Sequence, residues 1–294
     1  MTERIGVTGP VRLFMLAALT MVAFAANSVL NRAALTGGDT GPAAFAAIRL
    51  VSGALCLAAL VAMRTGLPRL AGPKRWVGTG SLLLYMLGFS FAYVALDAGV
   101  GALILFGGVQ ITMFAGALMG GERPHPARWT GAAIAFAGLA WLLWPAGTAA
   151  PDPVAAMMMG AAAIGWGVYS LAGRGTGDPL SNTAANFILA APFALAVWFA
   201  LPDAIGPRGA LLAVISGAVT SGVGYAMWYS LLPKIDASVA ALAQLTVPVI
   251  ALLGGAALLA EAPTLRLILA SAIVLGGVAF GVFGSQRRIG SRGS

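Results

Sequence analysis

Few side chains in this sequence could carry out covalent chemistry, and none of them has a catalytic spacing. The chain has one cysteine, Cys56, and one histidine, His125, so the sequence allows neither an internal disulfide nor a His/Cys metal cluster. It contains no HExxH zinc motif, and no Ser/His pair or carboxylate pair inside an apolar segment. The acidic residues lie in loops or where apolar segments end. We therefore expect a protein that is not an enzyme and that holds no cofactor or metal ion.

Neutral amides are the most informative polar side chains inside the apolar segments. They belong to Asn27, Asn31, Gln110, Asn186 and Gln244. An amide that faced lipid would lose its hydrogen bonds, so these side chains should point into a helix bundle. There they either line a binding cavity or hydrogen-bond to neighbouring helices, and the sequence leaves both roles open.

Aromatic side chains recur at helical spacing near these amides. They are Tyr85, Phe89 and Tyr93, then Trp166 and Tyr169, then Tyr225, Trp228 and Tyr229. Rings beside neutral amides suit a zwitterion with an apolar side chain, whereas a phosphorylated substrate would require several Lys or Arg residues at depth. Ordinary helix packing and interfacial aromatic belts are the alternatives. The predicted substrate-binding residues are Asn27, Tyr85, Phe89, Gln110, Trp166, Tyr169, Asn186, Tyr225, Trp228 and Gln244.

Arg49 is the one charged residue that lies well inside an apolar segment. It could bind a substrate carboxylate, or it could close a gate by pairing with Asp39 or Asp97. The alternative is that its long side chain extends to the membrane surface and has no further role.

Membrane helices must position these side chains, because 60% of the residues are hydrophobic and only 9% are charged. The net charge of +8 could suggest nucleic acid, but so apolar a chain has almost no surface for that partner, and we expect the lipid bilayer instead. A helix of about 20 apolar residues crosses the bilayer core. Ten segments meet this requirement, at approximately 12–32, 42–63, 76–96, 99–119, 127–145, 153–173, 182–201, 208–231, 236–259 and 264–284.

The distribution of the 17 Lys and Arg residues predicts the orientation of these spans. With the N-terminus in the cytoplasm, only Arg32, Arg208 and Arg266 fall at outer ends, and nearly all the others fall at inner ends. Because basic residues are retained on the cytoplasmic side, we expect both termini there, in an inner membrane of bacterial type.

The sequence also contains an internal repeat. The segment from Gly88 to Tyr93 and the segment from Gly224 to Tyr229 share a Gly-aromatic-x-x-x-Tyr pattern, and Glu122 corresponds to Glu261. Residues 1–148 and 149–294 are thus predicted to be two five-helix repeats of one integral membrane domain. An odd number of spans in each repeat inverts the second relative to the first. The predicted fold is an all-α membrane protein with ten transmembrane helices in two inverted repeats.

These features resemble the EamA-type branch of the drug/metabolite transporter superfamily. The resemblance rests on the two five-helix halves, on Glu122 and Glu261 after small-residue-rich spans, and on the small-residue helices at 131–143 and 270–283. Within that branch the chain is most similar to YddG-type exporters of aromatic amino acids. The resemblance implies a transporter that exports small amphipathic metabolites, aromatic or other apolar amino acids above all, by alternating access.

The absence of an acidic residue inside the predicted spans predicts facilitated transport with no buried proton-binding carboxylate. A carrier of drugs or other metabolites and a non-transporting membrane scaffold are the alternatives. Helix hinges are predicted at Gly107 and Gly108, at Pro192 and at Pro248. Small residues at four-residue spacing, Gly116 with Gly120 and Gly277 with Gly281, would permit close helix packing or a homodimer.

Overall fold

A computed structural model of the chain describes residues 9–72, 74–121, 123–145, 150–173, 177–235 and 237–286. Within these ranges the chain is helical, and its one β feature is an isolated bridge between Thr40 and Ile205. The helices are α1 (Gly9–Leu35), α2 (Pro42–Thr65), α3 (Arg75–Ala92), α4 (Ala98–Met119), α5 (Pro126–Leu143), α6 (Pro153–Ala172), α7 (Pro179–Ala200), α8 (Pro207–Val214), α9 (Gly224–Leu231), α10 (Ala237–Gln244), α11 (Thr246–Leu259) and α12 (Leu265–Gln286).

Several helices begin at a proline, whose missing N–H is not needed in the first turn. Asp152 and Asp178 cap two of these turns by accepting hydrogen bonds from the N–H groups of Ala155 and Ser181. These carboxylates therefore have structural roles at helix ends, away from the middle of the bundle.

Eight helical stretches in the described ranges are long and apolar enough to cross a membrane. They correspond to eight of the ten predicted spans. The other two predicted spans coincide with α3 and α5, which are helices of 18 residues each but are not among those eight. An all-helical, multi-pass membrane protein is confirmed, and the count of ten spans stays a prediction.

Two of the predicted spans are not regular α-helices. In the first, a π-helix at Ile215–Val223 lies between α8 and α9, and a short 3-10 turn at Leu232–Lys234 ends the stretch. In the second, the helix is interrupted at Leu245, between α10 and α11. Sequence periodicity did not predict the π-helix. Helices of this kind are rare and frequently occur at functional sites.

Helices of the first predicted repeat pack mainly on helices of the second. The contacts join α5 to α12, α3 to α6, α2 to α7, α4 to both α6 and α11, and α1 to α11. The buried core is continuous across these pairs, and its largest fully buried side chains include Arg49, Tyr93, Tyr225, Phe89 and Phe187. The two halves of the chain, which the sequence predicts to be repeats, are therefore interlocked and share one core.

Glycines allow the closest of these helix contacts. A Cβ added at Gly131 on α5 would lie 2.5 Å from the carbonyl oxygen of Gly277 on α12, next to Gly281. A Cβ at Gly116 would overlap with Leu171 on α6. These small residues thus pack helices within the chain, and the homodimer stays a prediction.

Some residues used in the sequence predictions lie outside the described residues. These are Glu122 and both chain termini.

Candidate functional site

The middle of the bundle contains Arg49, on α2, with a side chain that is fully buried at 0% exposure. Its Nε and Nη2 donate to the Ser221 hydroxyl at 3.3 and 3.2 Å, and Nη2 also donates to the Tyr85 hydroxyl at 3.2 Å. The guanidinium carbon lies 4.9 Å from the centre of the Phe89 ring, which is within cation–π range. The buried Nη1 has no hydrogen-bond partner among the described residues.

Arg49 therefore takes neither the role of a surface anchor nor that of a gate partner of Asp39 or Asp97 in this conformation. Full burial is incompatible with a side chain that extends to the membrane surface. Within the described ranges, the ion pair of Asp97 is with Arg32.

A group of hydroxyls on the π-helix connects Arg49 to α1. Ser216 and Thr220 donate hydrogen bonds to Asn27 Oδ1 at 2.8 and 2.6 Å, and Ser221 Oγ lies 3.5 Å from the same oxygen. A π-helix repeats its backbone hydrogen bonds at five-residue spacing, the spacing that separates Ser216 from Ser221. The π-helix thus lets two serines contact one amide oxygen.

Aromatic rings surround this polar group. Trp166 stacks on Tyr169 at 5.4 Å and on Tyr225 at 5.3 Å, and it contacts Tyr85 at 5.0 Å between ring centres. Further ring contacts add Phe24, Phe89, Tyr93, Phe187 and Trp228. All nine rings are buried, and we refer to them as the aromatic cluster. The cluster draws residues from both predicted repeats.

Polar contacts also close the two ends of the bundle. At one end, which we call the Arg75 end, Arg75 Nη1 donates to Asn182 Oδ1 at 2.8 Å and to Asn186 Oδ1 at 2.9 Å. Nearby on α6, the Tyr169 hydroxyl hydrogen-bonds to Thr183 at 3.0 Å. Helices α3, α6 and α7 are joined there.

The opposite end, the Arg32 end, is held by an ion-pair network. Arg32 on α1 pairs with Glu261 at 3.1 Å and with Asp97 at 3.4 Å, and it also donates to the backbone carbonyls of Tyr93 and Val94. Glu261 in turn accepts a hydrogen bond at 2.8 Å from the Ala98 N–H at the start of α4. This network joins the ends of α1, α3 and α11 to the start of α4.

Glu261 is the more buried of the two carboxylates, with 13% of its side chain exposed against 48% for Asp97. Burial raises the pKa of Glu261 above its ordinary value, and the nearby Asp97 charge acts in the same direction. The Ala98 N–H and the Arg32 guanidinium act against this shift without cancelling it. The closure at the Arg32 end therefore contains a carboxylate that takes up a proton more readily than an ordinary glutamate.

The structure brings most of the predicted substrate-binding residues together. Those in the aromatic cluster or its polar group are Asn27, Tyr85, Phe89, Trp166, Tyr169, Tyr225 and Trp228. Asn186 lies at the Arg75 end. Gln110 and Gln244 are half-buried, and within the described ranges neither hydrogen-bonds to the cluster.

The predicted hinge residues differ in their surroundings. Pro248 follows the interruption at Leu245 by three residues, and its missing N–H leaves the Gln244 carbonyl without its helical donor. Gly107 and Gly108 lie in the uninterrupted α4, and Pro192 lies within the continuous α7. One of the three predicted hinges thus coincides with a break in the helix, and movement at each of them stays a prediction.

Sequence reasoning missed the partners of these residues. Ser216, Thr220 and Ser221 carry three hydroxyls within six residues of an apolar stretch, a density that could have marked them. Arg32 and Glu261 were each assigned to a helix end, and no local pattern predicts that two residues 229 apart form an ion pair.

This arrangement places apolar rings beside one cation and a few neutral polar groups. Among the described residues no group of three or more His, Cys, Asp or Glu could hold a metal ion. Packed rings, one cation and a few neutral polar groups thus lie inside the bundle of a multi-pass helical membrane protein.

Comparison with known proteins identifies the family. A model of the EamA-like transporter family matches residues 154–283, the second predicted repeat. An uncharacterized protein of Pseudomonas aeruginosa is 46% identical over 272 residues, which cover 91% of this chain and 93% of that protein. The chain belongs to the EamA-like transporter family.

More distant relatives extend this comparison. A protein of Ancylobacter novellus named aromatic amino acid exporter YddG is 29% identical over 91% of this chain and 98% of its own length. An uncharacterized transporter of Archaeoglobus fulgidus is 27% identical over 69% of this chain and 74% of its own. A crystal structure that is 23% identical has the same fold, with a TM-score of 0.64 over 92% of this chain and 98% of that chain.

Proposed function

We propose that this transporter exports aromatic and other apolar amino acids by alternating access around the aromatic cluster. The observation that carries the proposal is the position of Arg49, Asn27 and Ser221 beside nine buried rings at the centre of one shared core. Such a site matches a molecule with an apolar ring at one end and a polar group at the other. The name of the Ancylobacter novellus relative agrees with this class of substrate.

The proposed mechanism has ten spans in two inverted repeats, with α1 to α5 corresponding to α6, α7, the α8–α9 stretch, the α10–α11 stretch and α12. The helix contacts support this correspondence. Helix α3 packs on α6, and its equivalent in the second half, the stretch of α8, π-helix and α9, packs on α1. In the same way α4 packs on α6, and its equivalent α11 packs on α1. Two repeats that exchange these equivalent packings would open the central site to one side and then to the other.

In this proposal both termini are cytoplasmic, the membrane is a bacterial inner membrane, and the Arg32 end faces outward. The ion pairs of Arg32 with Glu261 and Asp97 then form the external closure. The Arg75 end, with Asn182 and Asn186, then faces the cytoplasm.

We also propose that transport is facilitated, because the described carboxylates lie at helix ends. These are Asp39, Asp97, Asp152, Asp178, Asp203 and Glu261. Proton-coupled carriers normally hold an ionisable acid at depth, where burial moves its pKa towards neutrality.

The test is uptake of labelled Phe, Trp and Thr into liposomes that contain the purified protein, with and without an imposed pH gradient. Saturable uptake of Phe and Trp in both conditions is the expected result. Uptake of none of the three would contradict the substrate class. Uptake that requires the pH gradient would contradict facilitated transport.

Variants at the site complete the test. Trp228→Ala should reduce Phe uptake, because its ring packs at 5.9 Å on Phe24 inside the cluster. Gln110→Ala and Gln244→Ala test the two predicted residues that lie apart from the cluster. Normal uptake by all three variants, each with unchanged expression, would place the binding site elsewhere.

A further inference from the structure

The one buried cation at the centre of the described bundle has no ion-pair partner there. The two ion pairs among the described residues both belong to Arg32, at the end of the bundle. Arg49 contacts only neutral groups, namely two hydroxyls and two aromatic rings. A fully buried charge without a counter-ion destabilises a fold, so its presence calls for a role outside packing.

One nitrogen of this guanidinium is left without an acceptor. Nη1 carries two N–H groups, is buried, and has no hydrogen-bond partner among the described residues. An arginine fork binds a carboxylate through two parallel hydrogen bonds, and Nη1 is one of the two atoms of such a fork. Nη2 already donates to the hydroxyls of Ser221 and Tyr85, and a carboxylate would be a stronger acceptor than either.

The same surroundings offer little to an ammonium group. The hydroxyls of Ser216 and Thr220 already donate to Asn27 Oδ1, so this acceptor is occupied. Among the described residues no carboxylate forms an ion pair with Arg49, and both ion pairs found there belong to Arg32. Directly beside Arg49, an α-amino group would therefore gain only weak contacts with ring faces. The buried acceptors on α1 that have no partner among the described residues, Ser28 Oγ and Asn31 Oδ1, lie further along that helix, where Asn31 contacts Ser90.

We propose that Arg49 is the carboxylate-binding residue of the central site, and that the site recognises aromatic monocarboxylates whether or not they carry an α-amino group. This inference rests on the proposed function and narrows it. It assigns recognition to the carboxylate and the ring, so an aromatic carboxylic acid should be bound as well as the corresponding amino acid.

The experiment compares three ligands that share a phenyl ring. Each of phenylalanine, 3-phenylpropionate and phenethylamine is tested as a competitor of labelled Phe uptake at constant chloride concentration. The first two should compete within a few-fold of each other. Phenethylamine, which lacks the carboxylate, should compete about tenfold or more weakly, the loss expected when a charge-assisted hydrogen bond to a buried group is removed.

Variants of Arg49 assign the effect to this residue. Arg49→Met should lose the preference for 3-phenylpropionate over phenethylamine, and Arg49→Lys should regain part of it. Arg64→Met, at an exposed position on the same helix, is the matched control and should keep the full preference. Substrate-free Arg49→Met should unfold at the same temperature as the wild type or a higher one, because it removes a buried charge that has no counter-ion.

The outcomes separate this inference from the proposed function. Phe uptake with equal competition by phenethylamine and 3-phenylpropionate would overturn the inference and leave the exporter proposal standing. If Arg49→Met keeps the wild-type preference for 3-phenylpropionate over phenethylamine, the inference is overturned in the same way. This holds whether or not the variant unfolds at a lower temperature. The inference would also be overturned if chloride raised the unfolding temperature of the wild type as much as 3-phenylpropionate does. Failure of all Phe uptake would contradict the exporter proposal itself.

Discussion

Asn27 shows how one amide organises the centre of the bundle. Its Oδ1 accepts hydrogen bonds from Ser216 and Thr220, and Ser221 connects it to Arg49. A buried acceptor with this many donors is close to the limit of what an amide oxygen can satisfy. A carboxylate at this position could accept the same hydrogen bonds and would add a negative charge beside Arg49.

We therefore predict that Asn27→Asp raises the unfolding temperature of the substrate-free protein and blocks competition by 3-phenylpropionate, because the new carboxylate acts as an internal counter-ion. Thermal unfolding in detergent and competition of Phe uptake measure the two effects. The matched control is Asn31→Asp, four residues along α1, where the side chain contacts Ser90 and not Arg49. That variant should unfold at a lower temperature, since its charge would be buried without a partner. A higher unfolding temperature in both variants would contradict the prediction.

Glu261 provides a prediction about pH. Its pKa is raised above the ordinary value of 4.5, chiefly by burial, so the folded protein binds this proton more tightly than the unfolded chain does. The stabilisation that this proton gives is present at low pH and is lost as pH rises through the raised pKa. We therefore compare the unfolding temperatures of the wild type and of Glu261→Gln. The wild type should gain relative to the variant as pH falls from about 7 towards about 4.5. A difference that is constant with pH, or that shrinks, would contradict this sign.

A control for that measurement is Asp152→Asn. Asp152 is an exposed cap whose hydrogen bond to the Ala155 N–H an asparagine can replace. Asp152→Asn thus removes a carboxylate that lies outside the Arg32 end, and it is the control for the loss of a carboxylate as such.

At the level of residues, the sequence predicted best what depends on composition and spacing. The rings at Tyr85 and Phe89, at Trp166 and Tyr169, and at Tyr225 were expected from helical periodicity, and they meet in the structure. Hydrogen-bond partners were not predicted, because which hydroxyl reaches which amide depends on helix rotation and depth. Neither quantity can be derived from the sequence of one helix.

At the level of elements, the interruption at Leu245 is the clearest consequence of a single residue. Pro248 cannot donate to the Gln244 carbonyl, so α10 and α11 are separate helices within one apolar stretch. The hinge was predicted from the proline itself. The π-helix was not predicted, because it leaves no periodic signal in the sequence; it packs on α2 and α1.

Pro248→Ala should restore the missing hydrogen bond and join α10 to α11. Proline costs an α-helix interior about 3 kcal/mol, so the variant should unfold at a higher temperature and transport Phe more slowly, because the bend is no longer favoured. Liposome uptake and thermal unfolding measure both effects. Pro179→Ala, at the first position of α7 where no hydrogen bond is missing, should change neither. Faster uptake by Pro248→Ala would contradict the role of the bend.

The contact between α5 and α12 provides a second prediction at this level. Gly131→Ala would place a methyl group 2.5 Å from the Gly277 carbonyl, and relief requires the two backbones to separate. We expect a destabilisation of about 1–3 kcal/mol, seen as a lower unfolding temperature. Gly276→Ala is the matched control, because a Cβ there meets nothing within 4 Å and alanine favours the helix. Equal unfolding temperatures for the two variants would show that the contact is not close.

At the level of the whole molecule, hydrophobicity and charge predicted a multi-pass helical membrane protein, and the structure confirms that class. The interlocking of the two predicted repeats depends on contacts between distant segments, such as α2 with α7 and α5 with α12. Such contacts have no local sequence signature. The repeat in the sequence predicted equivalent helices but not which of them would pack together.

Orientation in the membrane is testable with single cysteines in a Cys56→Ser background. Thr36 lies between α1 and α2, and Leu67 lies between α2 and α3; both are exposed. A membrane-impermeant maleimide applied to intact spheroplasts should label Thr36→Cys and should label Leu67→Cys only after lysis, because basic residues are retained inside. The reverse pattern would place the termini outside.

The start of α2 depends on a residue made much later in the chain. The Asp203 carboxylate, after α7, accepts hydrogen bonds from the N–H groups of Ala43 and Ala44 at 2.8 and 2.9 Å. Ala43 and Asp203 are separated by 160 residues, so during synthesis α2 enters the membrane before its cap exists. Until then, the first turn of α2 must find other acceptors for its N–H groups. The cap of α2 is therefore completed only after α7 has been made, and a chain that stops before Asp203 would leave these two N–H groups without this acceptor.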